Sequence, residues 1–112
     1  MISVDDSYEL FFDALSYLDE ERLKDSDEDL EYIIFEELSA DAVSFLHAWT
    51  LDRLIAADKI PVNIREDVLD LRTLILKELE FTKSVDQYRN SANWIEIRIK
   101  AKTLKSKILD KA

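Results

Sequence analysis

The chain has no glycine and a single proline, Pro61, in 112 residues. Glycine enters the left-handed region of φ without steric cost, and the tight two-residue turns of β-hairpins depend on it. A chain without it must build such turns from Asn or Asp, or avoid them. Hairpins are therefore disfavoured, and helices joined by polar connections are favoured. Hydrophobic residues make up 47% of the chain beside 36% charged, which is enough apolar surface to close a core. The length is that of one domain. The sequence predicts an all-α, single-domain bundle of about five helices spanning residues 1–112.

Caps and apolar periodicity place the helices. Ser3 with Asp6 forms an S-x-x-D capping box, and Tyr8, Phe11, Phe12, Leu15 and Leu18 follow at three- and four-residue steps, predicting a first helix from Val4 to Lys24. Ser26 with Asp29 repeats the box and opens a second helix, Asp27 to Leu38, with Leu30, Ile33, Ile34 and Leu38 inward. Ser39 reads as a fresh N-cap for a third helix reaching Asp58, with Val43, Leu46, Trp49, Leu54 and Ile55 apolar. Pro61 marks the clearest connection. Asn63 with Glu66 reads as a cap for a fourth helix, Ile64 to Lys83, whose broad apolar surface suits the centre of the bundle. Ser84 with Gln87 caps a fifth, with a kink near Asn90-Ser91. Within it Trp94 to Lys100, WIEIRIK, alternates as a strand would; a lone strand has no partner in this chain, so the expectation is helix.

The absence of cysteine removes disulfides and thiolate chemistry. The first residues, MISVDDSYELFFDAL, lack the basic and uninterrupted apolar regions of a signal peptide, and no apolar run approaches the ~20 residues of a membrane span. A cytoplasmic protein with no membrane role is expected. Charge is divided unevenly. Residues 1–41 hold 15 acids against 2 bases, net −13; residues 42–83 hold 7 against 6, net −1; residues 84–112 hold 3 against 7, net +4. Nucleic acid is disfavoured as a partner, because phosphate binding needs a dominant basic surface. A basic protein suits this surface better.

Chemistry-bearing patterns are few. Asp25, Asp27, Asp29 and Glu36 occupy positions 1, 3, 5 and 12 of a twelve-residue calcium loop, but Leu30 stands where the turn-forming glycine belongs. A divalent-cation site across Asp25–Glu36 is the third functional reading. His47 is the only histidine, and metal sites usually recruit several His or Cys ligands; a structural histidine is the simpler role. No Ser-His-Asp set, glycine-rich phosphate cradle or Glu-x-x-His pair is present, so no enzyme activity, catalytic residue, metal or cofactor is expected. Tyr17 and Tyr32 each lie among acids. They read either as anchors for a basic partner or as residues packed at the core edge.

A solvated helix face is the ordinary explanation of a charge run. Net −13 over 41 residues exceeds what solubility requires, a net charge of about 2 to 8 for a small domain, and a cationic partner would relieve the self-repulsion. In size, helix content, acidity, lack of Cys, and its acids and tyrosines from Tyr17 to Asp41, the chain resembles the small, acidic, all-helical bacterial immunity proteins of contact-dependent and other polymorphic toxin systems. The resemblance implies stoichiometric inhibition of a toxin, with carboxylates standing in for phosphates at a basic, nuclease-like active site. It places Asp19, Glu20, Asp25, Asp27, Glu28, Glu31, Glu36 and Glu37 at the interface, with Tyr17 and Tyr32 as anchors, and implies a monomer or weak dimer. The alternative is a regulatory or scaffold subunit of a larger complex, binding through this surface or through the basic last helix with Lys100, Lys102, Lys105 and Lys107.

Overall fold

A computed structural model describes residues 2–111, and among them every regular element is helical. The first helix, α1 (Val4–Ser16), begins as its capping box requires, with Ser3 Oγ accepting from the Asp6 amide at 3.1 Å. It stops eight residues short of Lys24. After Ser16 the chain tightens into a turn, and Asp19 is extended before a 3-10 segment at Glu20–Lys24. Tertiary contacts explain the early stop. Leu18 turns fully into the core. Asp19 receives Lys105 Nζ at 2.9 Å on both carboxylate oxygens, and the same ammonium sits 5.0 Å from the centre of the Phe12 ring.

The second cap also forms, with Ser26 Oγ accepting from the Asp29 amide at 3.2 Å and opening α2 (Asp27–Tyr32). The helix then passes without interruption through a π segment, Ile33–Leu38, into α3 (Ser39–Ser44). The expected cap at Ser39 is absent, and its backbone is helical, φ −59° and ψ −48°. Apolar spacing supplies the reason. Leu30, Ile34, Leu38, Ala42 and Leu46 are all buried at steps of four, and each such step overshoots an α-helical turn by about 40°. The wider i→i+5 turn opposes that drift and keeps the row on the core.

The third helix expected from Ser39 to Asp58 is broken instead. After α3 the chain turns at Phe45 and Leu46, and His47 Nδ1 accepts from the Trp49 amide at 3.1 Å to cap α4 (Ala48–Ala56). Thr50 Oγ1 donates to Ser44 O at 2.9 Å across the corner. This break leaves Trp49, at the start of α4, 57% exposed, and Val43, on α3 before the break, is 51% exposed, although both stood among the apolar residues of one expected helix. Helix α4 ends in a Schellman closure, with Asp58 N to Ile55 O at 3.0 Å and Lys59 N to Leu54 O at 2.9 Å. Its left-handed residue is Asp58, φ 60°, so the turn a glycine would usually make is made by aspartate.

Pro61 precedes a 3-10 turn at Val62–Ile64 and α5 (Arg65–Phe81). The expected Asn63–Glu66 cap does not form, since the 3-10 turn carries the chain directly into the helix. Helix α5 buries Val68, Leu71 and Ile75, and it shares the centre with α1, both packing against α3, α4 and α7. Ser84 caps α6 (Val85–Asn90). Extended Ser91 separates it from α7 (Ala92–Lys111), so the kink near Asn90-Ser91 is a full break. WIEIRIK is helical: Trp94, Ile97, Ala101, Leu104 and Ile108 face inward, and Ile95 and Ile99 face out. Trp94 Nε1 donates to Thr82 Oγ1 at 2.8 Å. The buried Arg98 donates to Tyr88 O at 3.0 Å and Arg89 O at 3.2 Å, satisfying the last carbonyls of α6.

Candidate functional site

The acidic stretch divides into two groups. Part of it is neutralised within the molecule: Asp19 pairs with Lys105, Asp27 with Arg89, and Asp25 with Arg22 at 3.5 Å. Arg89 also donates to Asp25 O at 2.8 Å, tying the start of α2 to α6. The other acids face solvent. Glu20, Glu28, Glu31 and Glu36 are exposed, and among the described residues none of them forms an ion pair. Tyr32, 57% exposed, stands among Glu28, Glu31 and Glu36 on the same helical run. Beside it lies an open depression of about 450 Å³, lined by Arg22, Asp25, Glu28, Asp29, Tyr32 and Ile33.

Glu37 organises the far edge of this surface. It is half-buried, and its Oε2 accepts from Tyr17 Oη at 3.5 Å, linking the end of α1 to the π segment. The Tyr32 hydroxyl is held above its ordinary pKa first by hydrogen bonding to Glu37, then by that carboxylate's charge. Residues five apart share a face only where the helix widens, so the π segment is what brings Tyr32 and Glu37 together. Tyr17 is raised first by burial, then by the charges of Glu37, Asp41 and Asp13. Asp41 is buried at 9% exposure, and its carboxyl is pushed up to about 6, first by burial, then by Glu37 and Asp13. Asp41 follows buried Ile34 and Leu38 at helical steps, and so lies on the core side of the helix, although its residue type marks it for solvent. Of the two readings of the tyrosines, Tyr17 sits at the core edge and Tyr32 stands in solvent.

The four residues that resemble a calcium loop lie differently from such a loop. Asp25 is extended, and Asp27, Asp29 and Glu36 lie on continuous helix. Among the described residues no three of His, Cys, Asp and Glu come together as metal ligands would. His47 acts as a helix cap, its Nδ1 accepting from the Trp49 amide.

A second concave surface was not foreseen from the sequence. It is an open apolar pocket of about 540 Å³ between the start of α1, the end of α3 and α4, with Ile2, Val43, Phe45 and Trp49 on its walls and His47 and Arg53 at its edge. Arg53 lies 5.1 Å from the centre of the Trp49 ring. Its guanidinium also donates to Ser7 Oγ at 3.3 Å and to Ile2 O at 3.1 Å.

The fold and its surfaces define an all-α bundle with one carboxylate-rich face and one apolar pocket. Comparison with known proteins gives no match: no family model, no curated protein and no solved structure is significantly similar to the chain. Among the described residues no helix is long and apolar enough to cross a membrane.

Proposed function

We propose that the protein is a stoichiometric binding inhibitor of the immunity type, whose acidic surface on α2 and the π segment covers a basic, nuclease-like toxin. One observation supports this reading above the others. The molecule neutralises Asp19 and Asp27 with its own bases, yet among the described residues Glu28, Glu31 and Glu36 around the exposed Tyr32 form no ion pair. Like charges held together on a rigid helix raise the energy of the free protein, and a cationic partner removes that cost on docking. An aromatic ring amid such charges is the composition of a binding anchor. The depression beside Tyr32 offers carboxylates to an incoming Lys or Arg side chain.

Affinity capture from the native cell with the wild-type protein, beside the triple variant Glu28→Gln/Glu31→Gln/Glu36→Gln, tests the proposal. The expected result is one small basic protein, bound in a salt-sensitive manner by the wild type and lost from the variant. A multi-subunit assembly retained equally by both overturns it in favour of a scaffold role.

A further inference from the structure

The apolar pocket beside Trp49 is a surface that the acidic face alone does not explain. Trp49 and Val43 are more than half exposed, and Ile2 is 43% exposed, all around one concavity. An exposed tryptophan leaves a large apolar area in water, and tryptophan and arginine are both residue types enriched at binding hot spots. Here the ring is also held in place. Arg53 covers one face and is itself anchored to Ser7 and the backbone of Ile2. Two of its five N–H donors are used inside the molecule, which holds Arg53 against the ring, and the walls left open are the apolar Ile2, Val43, Phe45 and Trp49. The open side of the pocket therefore suits an apolar side chain.

The surroundings indicate what carries that side chain. Two of the pocket's three walls, the start of α1 and the end of α3, come from or directly adjoin the segment of net charge −13. Exposed Asp6, which forms no ion pair among the described residues, adjoins Ser7. Val43, on the pocket wall, lies seven residues along the same unbroken helical run from Glu36, with exposed Ala40 between them, so the acidic segment leads up to the pocket. We propose that the pocket receives one apolar side chain of a cationic partner segment, whose basic residues lie along the acidic face while Trp49 takes the anchor. This rests on the acidic-surface reading and adds to it the contact that holds the complex after charge has steered it together.

The test uses two synthetic peptides, a lysine hexamer with phenylalanine inserted at its centre and the same peptide with alanine there. Their binding is followed through the indole N–H resonances of the full-length protein. Trp94, buried and bonded to Thr82, serves as the internal control. The phenylalanine peptide should shift the Trp49 resonance, leave that of Trp94 in place, and bind about fivefold tighter or more. In Trp49→Ala that advantage should fall to within about twofold, with binding of the alanine peptide unchanged. Val43→Ser, a milder change at the same pocket, should reduce it in the same direction. Equal binding of the two peptides to the wild type overturns the pocket inference alone. Failure of the alanine peptide to bind at all removes the acidic-surface reading, and this inference with it. A phenylalanine peptide with serines in place of lysines that binds equally well contradicts the cationic partner.

Discussion

Asp41 shows how a single residue couples charge to stability. Its carboxyl is raised from 3.8 to about 6 in the folded protein, so the folded state holds this proton more tightly than the unfolded chain does. The associated stability is fully present below pH 3.8 and is lost as pH rises through about 6. At neutral pH the ionised carboxylate is a burden on the fold. Asp41→Asn should therefore stabilise the protein at pH 7, by about 1–2 kcal/mol after allowance for partial solvent screening. Denaturant unfolding at pH 5 and pH 7 should show the gap between wild type and Asp41→Asn narrowing by about half at the lower pH. A destabilised Asn variant at pH 7 would contradict this account of the buried charge. The position was not readable from sequence, because residue type assigns Asp to the outside whatever its spacing. Trp49 failed in the opposite sense: periodicity placed it in the core, and the chain break at Leu46-His47 turned it to solvent. Phe11, Leu15, Leu30 and Ile34, whose burial depends only on helical period, were placed correctly.

At the scale of elements, the caps divide by how local they are. Ser3, Ser26 and Ser84 cap where the sequence places them, because each bond spans only three residues. Ser39 does not, because a longer-range demand overrode it: the row of buried residues at steps of four keeps the helix running. The cap that replaces it, His47, carries no N-cap signature. His47→Ala should cost about 1 kcal/mol through loss of the bond to the Trp49 amide, measured by chemical denaturation; an unchanged midpoint would mean the cap contributes nothing to α4. Asp58 at φ 60° closes the same helix in a chain without glycine. Substitutions there should rank in stability with Gly at or above Asp, then Ala lower by about 1 kcal/mol, then Val lower still. Thermal melts of the series read that order, and Val as stable as Gly would refute it.

At the scale of the whole molecule, the all-α fold followed from the lack of glycine and the apolar periods. How the charges are shared out did not, since Lys105 with Asp19 and Arg89 with Asp27 lie 86 and 62 residues apart. Those pairs join the basic C-terminal helices to the acidic N-terminal region and remove Asp19 and Asp27 from the carboxylates left for a partner. With net charge −10 and most of the exposed acids forming no ion pair among the described residues, the fold should gain stability with added salt. Raising ionic strength from about 0.01 M to about 0.15 M shortens the screening length from roughly 30 Å to roughly 8 Å and damps self-repulsion. A melting temperature that falls over this range would mean that the internal ion pairs outweigh the repulsion.

The proposed docking surface for a cationic protein is made of the carboxylates Glu28, Glu31 and Glu36 around Tyr32, which form no ion pair among the described residues. The measurement that bears on it most directly is the association rate with the captured partner at low and physiological salt, for the wild type and for Glu28→Gln/Glu31→Gln/Glu36→Gln. The account predicts an association rate reduced about tenfold or more at low salt, with a shallower salt dependence. Equal rates and equal affinity at low salt would contradict it.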